Sequence, residues 1–413
     1  MCPRHIAVPD GSSLPVVRPD LKLESITYEN FIKWFPPEVA KNIVSWIFCG
    51  THGDPMMNKD VLKITEYVCT HGSSVFFNTN GGMRTSEFWH DLAKVLQINA
   101  TSRPNTTRHV TFSIDGLEDT NHLYRRNVSF NKAITNAKAF IAAGGTAYWD
   151  YLIFKHNEHQ VEEAAMLAQS IGFRYFVPKK ALGFQPATVG EGILIGKTVR
   201  NTDGSYAYTI EPPSLENTNF SSIDGTAKTL ESICDLNFDA TSYVNYLENN
   251  IEYNNETKKQ KYLNMLETYQ PKEAEKCTSI ICKSHLSSVP SMTKHEIYVD
   301  AYGRVFPCCY VATHYVANFD TFGSVQMSLA IEEFGLEKIT LHNNTLEEIL
   351  NSGFLQNVFE KKWGKDQPEG MLYCNETCGE KSAIDKIYTH TLDTRPDTFK
   401  AHKTVQKMRN EES

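Results

Sequence analysis

The sequence lacks any apolar run approaching the roughly 18 residues that a membrane span needs, and its opening, Met1-Cys-Pro-Arg-His-Ile-Ala-Val-Pro-Asp-Gly11, holds no apolar signal region. These two gaps predict a cytoplasmic protein without membrane contact, so the Asn-X-Ser/Thr triplets such as Asn105-Thr-Thr107 read as chance. An excess of positive charge is missing too. Lys and Arg number 41 against 49 Asp and Glu, a formal charge of −8, and no Lys/Arg stripe stands out, which disfavours general nucleic-acid binding. No His-Glu-x-x-His or comparable His/carboxylate set is present, which disfavours a zinc hydrolase. What is there is ordinary for a protein with a real core: 41% apolar and 22% charged residues, over a length of 413 residues that suits two or three modules.

From residue 40 to 180 the chain alternates short apolar segments with helical patterns. The predicted strands are Ile43 to Cys49, Ser74 to Asn80, His109 to Asp115, Tyr148 to His156 and Phe173 to Pro178. Helical periodicity falls near 59–69, 86–96, 130–143 and 160–171. Five such alternations, with strands read as buried on both faces, predict a parallel sheet with crossover helices, open or closed into a barrel. Polar residues follow each strand: Gly50-Thr-His-Gly-Asp54, Asn78-Thr-Asn-Gly81, Ser113-Ile-Asp-Gly116, Lys155-His-Asn-Glu158 and Pro178-Lys-Lys180. In a parallel sheet all these segments lie at one end, where loops converge and ligands bind. Each alone is ordinary turn chemistry; five in register favour an active site.

The ten cysteines are unevenly placed. Cys277, Cys282, Cys308, Cys309, Cys374 and Cys378 fall in the last third as C-x4-C, an adjacent pair and C-x3-C. In a cytosolic chain that clustering points to metal or iron–sulfur ligation rather than disulfides. Cys49, Cys69 and Cys234 are isolated, and Cys49, at the end of an apolar run, reads as a core residue.

Met1-Cys-Pro-Arg4 resembles the tail of C-x3-C-x-M-C-P-R, the cluster motif of radical S-adenosylmethionine (radical SAM) enzymes. The later loops agree in order. Gly50 to Pro55 is similar to that family's glycine-rich acidic loop after the second strand, Asn78 to Gly81 to the loop after the third, and Ser113 to Gly116, with Arg125 or Arg126 downstream, to the fourth-strand region. Ile297 to Cys309 and Cys374-Asn-Glu-Thr-Cys378 resemble the hairpin and closing pair of a SPASM/twitch auxiliary-cluster domain. The resemblance covers about 1–180 and 277–385. It implies an α/β fold, a partial (β/α)6 TIM-like barrel lacking its first strand, plus a small Cys-rich α+β domain. The expected divisions are 1–181 for the barrel, 182–276 for a variable bridge that covers the open face or merely links, 277–385 for the auxiliary domain and 386–413 for a tail. One departure stands out: of the family's three cluster cysteines only Cys2 is present. The expectation is a reading frame begun at the methionine inside the motif, or a true truncation; truncation would expose the edge of the second barrel strand.

The resemblance also implies residue roles. Cys2 ligates a [4Fe–4S] cluster and is the catalytic ligand. Gly50, Thr51, His52, Gly53 and Asp54 approach the methionyl part of SAM, mainly through backbone. Asn80 contacts the cofactor or stabilises its turn. Ser113 and Asp115 face the ribose or carboxylate, Arg126 (or Arg125) pairs with a carboxylate, and Asn157 and Glu158 reach ribose hydroxyls, with Glu158 equally suited to a helix N-terminus. Phe176 and Val177 line adenine or are core. Cys282, Cys308, Cys374 and Cys378 hold an auxiliary [4Fe–4S] cluster, with Cys277 and Cys309 as alternates; adjacent cysteines point apart on a strand. A structural zinc site is the rival. The implied partners are a peptide or protein substrate and an electron donor such as a flavodoxin or ferredoxin. The implied activity is reductive cleavage of SAM to a 5′-deoxyadenosyl radical. The rival from another class is a non-catalytic, metal-stabilised (Fe–S or Zn) binding protein.

Overall fold

The computed structural model describes residues 4–8, 12–19, 21–50, 52–181, 184–189, 192–214, 296–317 and 322–362, with single positions 245, 260, 264, 371 and 374 and the pair 392–393. Cys2, Thr51, Cys277, Cys282 and Cys378 lie outside the described residues, as does most of the helical stretch expected near 242–269.

The described chain opens with an antiparallel hairpin, β1 (His5–Ala7) and β2 (Ser13–Val17). Two short helices follow, α1 (Tyr28–Trp34) and α2 (Pro37–Ala40). The strand–helix alternation then appears as β3 (Ser45–Phe48), α3 (Val61–Thr70), β4 (Ser74–Thr79), α4 (Ser86–Val95), β5 (Arg108–Ser113), the turn α5 (Asn121–Tyr124), α6 (Phe130–Ala142), β6 (Ala147–Ile153), α7 (Val161–Ile171) and β7 (Tyr175–Lys180). Local sequence sets these boundaries. Thr85 and Ser129 cap α4 and α6 by accepting from Phe88 N–H at 3.5 Å and Lys132 N–H at 3.3 Å; such caps contribute about 1 kcal/mol each. Helix α7 stops at Gly172, whose φ of 97° is left-handed. In α3 the buried Val61, Ile64, Thr65 and Val68 recur at helical spacing and so form one face.

Strands β3 to β7 pair in sequence order, all parallel. Right-handed crossovers that always advance in one direction put every connecting helix on the same side. Burial agrees: Val75, Phe77, Val110, Phe112, Trp149, Tyr151 and Phe176 are all fully buried, in one cluster with Trp89, Ala137, Phe140 and Ala164 from the helices. Trp89 packs on Phe112 at 5.1 Å between ring centres. Fully burying each of these side chains is worth on the order of 2 kcal/mol. Among the described residues the opposite face is buried less deeply. Phe76, His109, Tyr148 and Tyr175 are half-buried there, and β6 alternates buried and half-buried along its whole length. The expectation of strands buried on both faces therefore holds fully on the helix-covered face and in part on the other, where Thr111 and Val177 are buried. The apolar runs are rich in aromatics, and hydropathy alone cannot distinguish an aromatic ring stacked edge-on from one enclosed by helices. Here His109 stacks on Tyr148 at 3.9 Å and tilts against Phe76 at 4.6 Å.

Beyond the parallel sheet the chain forms β8 (Gln185–Val189), β9 (Gly192–Arg200) and β10 (Tyr206–Ile210). These lie within the stretch expected to be a bridge. They join the N-terminal hairpin in one sheet, with β2 parallel to β9. Buried Arg200 fastens the join, donating to Ser12 Oγ at 2.8 Å and Gly204 O at 2.7 Å. This second sheet sits against the carboxyl end of β6: Phe154, Ala181, Phe184 and Ile210 form a small core, and Tyr208 donates to Leu123 O at 2.7 Å.

The distal part contains the hairpin β11 (Tyr298–Val299) and β12 (Val305–Phe306), then α8 (Cys309–Ala317), α9 (Phe322–Phe334) and α10 (Leu346–Asn351). Val305, Phe306, Val311 and Ile331 belong to the same core cluster as Phe31 and Trp34 of α1. Gly303, at φ 73°, leaves room for the Trp34 ring, which a Cβ there would approach to 2.7 Å. A two-residue strand β13 (Leu392–Asp393) pairs antiparallel with β7. No helix among the described residues is long and apolar enough to cross a membrane.

Candidate active site at the carboxyl ends of the strands

The loop after β3 folds back on itself: a Cβ on Gly50 would fall 1.4 Å from Gly53 O. Only glycine permits that approach. Asp54 closes the loop. Its carboxylate accepts from Met56 N–H at 2.9 Å, from Thr79 Oγ1 at 2.9 Å and from Asn80 N–H at 2.8 Å. One side chain thus ties the loop after β3 to the loop after β4. Asn80 in turn accepts from Gly82 N–H at 2.8 Å, a local turn bond.

His52 lies in this loop with a different character. Its Nε2 is buried and has no hydrogen-bond partner among the described residues. Burial pulls the imidazole down to about 4, and Arg18 and Arg304 add to the effect. The loop therefore neighbours both the segment after β2 and the distal hairpin. Cys49 does as well: its thiol is pushed up to about 11, first by burial and then by Cys309 at the start of α8. Sequence reasoning read Cys49 as a core residue and missed Arg18, Arg304 and the approach of Cys309, because none of these proximities has a local sequence signal.

After β5 the network is closed. Asp115 is fully buried and accepts from Arg125 Nε at 2.5 Å and Leu152 N–H at 2.6 Å. Burial pushes its carboxyl above the usual range, with Arg125 opposing. Asn157, also fully buried, donates to Asp115 O and Leu152 O, each at 2.9 Å, and accepts from Phe154 N–H at 2.7 Å. All of its side-chain bonds stay inside the loops after β5 and β6. Of the two arginines, Arg125 is the one paired with Asp115; Arg126 instead donates to Arg200 O of the second sheet at 2.7 Å. Glu158 accepts from Ser214 N–H at 2.7 Å.

Ser113 ends β5 half-buried, and its hydroxyl has no hydrogen-bond partner among the described residues. Near it an ion pair joins Asp150 and Lys179 on neighbouring strands, with 21% and 14% of their side chains exposed. Burial raises the Asp150 carboxyl, against the pull of Lys179. A charged residue in mid-strand, among Tyr148, Trp149, Tyr151 and Leu152, was the signal that could have singled out Asp150. Phe176 lies on the helix-covered face in the core, against Trp149 at 5.7 Å.

The structure thus brings Gly50, His52, Gly53, Asp54 and Asn80 together, and separately Asp115 with Asn157. Arg126 points elsewhere. Of the expected cluster ligands, Cys308 and Cys374 both pack against the main core. Among the described residues no group of three or more His, Cys, Asp or Glu is arranged to hold a metal ion. The other expected ligands, Cys282 and Cys378, lie outside the described residues.

No protein-family model matches the chain, and no curated protein matches it. Among solved structures it is similar to SuiB of Streptococcus suis, with 15% identity, 68% of this chain and 54% of that one covered, and a TM-score of 0.35. SuiB bound to precursor peptide SuiA gives 11% identity, 71% and 57% coverage and a TM-score of 0.34. Native anSMEcpe with bound AdoMet and Cp18Cys peptide gives 11% identity, 99% and 94% coverage and a TM-score of 0.40. The chain spans about half the length of the SuiB structures. Likeness at this level fixes no activity.

Proposed function

We propose that the chain is a radical SAM enzyme whose carboxyl-end loops bind S-adenosylmethionine, with a peptide or protein as substrate. The observation that carries this reading is the bridge from Asp54 to Thr79 and Asn80, because it draws the loops that match the family's second and third strand motifs into one unit. The single direction of strand order and the single covered face support a partial barrel. With Asp54 fully engaged, the backbone of the Gly50–Asp54 loop is left to receive the SAM ammonium. Ser113 would hold a ribose or carboxylate oxygen. Asp115, Arg125 and Asn157 set the shape of the wall behind it and hold no ligand. Cys2 would be one ligand of an iron–sulfur cluster, which when bound would supply one-electron reduction of the sulfonium. Cys308 and Cys374, with Cys282 and Cys378, would hold the auxiliary cluster. An external one-electron donor, a flavodoxin or ferredoxin, completes the set.

The test is anaerobic reconstitution with iron and sulfide, then SAM and a chemical reductant, of the chain as given and of a form extended at the N-terminus by a strand ending in C-x3-C. The expected result is 5′-deoxyadenosine from the extended form. Product from neither form favours the non-catalytic metal-stabilised binding protein.

A further inference from the structure

The loop that follows β3 is ringed by basic side chains. Arg4 precedes β1 and Arg18 follows β2, and the hairpin joins them, with Arg18 N–H donating to Arg4 O at 3.0 Å. Arg4 Nη1 reaches Met57 Sδ at 3.8 Å. The same sulfur would lie 3.2 Å from a Cβ on Gly53, so the Arg4 guanidinium stands against the loop. From the distal hairpin, Tyr302 Oη donates to Lys22 O, which pins the hairpin tip beside the segment after β2. That pin brings in Arg304, whose charge acts on His52 together with that of Arg18.

This ring is short of counter-charge. Asp54 turns its carboxylate to Met56, Thr79 and Asn80. Asp300 holds Nε and Nη2 of Arg304 at 2.8 Å and 2.6 Å, and Nη1 is left without a hydrogen bond among the described residues. Arg4 Nε is buried with no partner among the described residues, and its Nη1 has only a thioether as acceptor. His52 Nε2 is unmet in the same way. A buried guanidinium is ordinarily paired. Burial keeps the His52 ring neutral at pH 7, so Nε2 donates when it carries the ring proton. Donors of this kind, gathered in a chain of formal charge −8, repel cations and suit an anion. The planar forks of arginine match the oxygens of carboxylate and phosphate. The basic groups form one small ring and no stripe, which disfavours a polyanion.

We propose that Arg4, Arg18, Arg304 and His52 bind one small oxyanion, the carboxylate or phosphate group of a ligand other than S-adenosylmethionine. The inference rests on these side chains and stands apart from the cofactor reading.

The experiment measures uptake of radiolabelled inorganic phosphate and, separately, of succinate by the anaerobically reconstituted full chain, using equilibrium dialysis at constant ionic strength. The expected result is saturable uptake of one anion per chain, weakened roughly tenfold in both Arg18→Gln and His52→Ala. Lys138→Gln, on α6 in the helix layer, should leave uptake unchanged. Circular dichroism confirms each fold, and either of the first two variants decides the matter should the other fail to fold. Tighter uptake of phosphate assigns a phosphorylated ligand, and tighter uptake of succinate a carboxylate; both bear the proposal out. Absence of saturable uptake overturns it, as does equal weakening in Lys138→Gln, which reduces the effect to general charge. Release of the anion, one for one, by saturating S-adenosylmethionine also overturns it, because that assigns the ring to the cofactor's own carboxylate. Anion uptake by a chain that takes up no S-adenosylmethionine leaves this inference standing and removes the cofactor reading.

Discussion

The loop after β5 and the loop after β3 carry similar polar residues at the same end of one sheet, and they differ in what remains after folding. Behind β5, Asp115 and Asn157 are fully buried and bonded to Arg125, Leu152 and Phe154. Around β3, Asp54 is engaged, but His52 Nε2 is buried without a partner among the described residues. The first loop is a completed internal network; the second is completed only at its frame. An unmet polar atom in a buried setting costs stability, and a ligand that met His52 Nε2 would recover that cost. Residues that match a binding motif can thus act as scaffold, while the neighbouring groups do the binding.

That contrast can be broken experimentally. Asp115→Ala strands the Arg125 guanidinium, and equilibrium denaturation in urea should register a loss of about 3–5 kcal/mol. Asn157→Ala leaves Phe154 N–H and two carbonyls unmet; the same measurement should show about 1–3 kcal/mol. If either variant kept full stability and lost only ligand affinity, the two loops would have exchanged roles. Asp54→Ala should cost about 1–2 kcal/mol, since its acceptors lie in a half-buried loop, and should also loosen proteolytic resistance between 50 and 58. Ser113→Ala should stay within about 0.5 kcal/mol of wild type, its effect being confined to ligand binding.

The pH response sharpens the same point. His52 titrates at about 4 in the folded protein, below its ordinary 6.5. The unfolded chain therefore binds more protons between those values, so the contribution of neutral His52 is present above pH 6.5 and is lost as pH falls toward 4. His109 on the face opposite the helices behaves alike, pulled down to about 4 by burial. Denaturation midpoints measured from pH 7 to 4 should fall, and His52→Gln should flatten part of that fall. An unchanged slope would place His52 in water.

Much of the sheet was legible because each strand is an apolar run ended by Gly, Asn or Asp, and each helix repeats its apolar residues at helical spacing. The half-buried face was not, since Phe76, Tyr148 and Tyr175 have the hydropathy of core residues and differ only in what packs on them. Strands β8 to β10 escaped because Pro212-Pro213 and the Asn/Ser content nearby mask an antiparallel sheet whose partner, β2, lies far away in sequence. In the candidate site, the loops were readable and the bonding was not. Nothing in Arg125-Arg126 tells which side chain turns inward, and the pairing of Asp150 with Lys179 depends on strand register.

The most direct measurement is titration calorimetry of S-adenosylmethionine into anaerobically reconstituted wild type, in the N-terminally extended form, and into its Ser113→Ala variant. Saturable binding to the wild type and roughly tenfold weaker binding to the variant, about 1.4 kcal/mol, at unchanged melting temperature, is the expected result. Equal affinity in both, or no heat in either, would contradict a nucleoside-binding site at the ends of these strands.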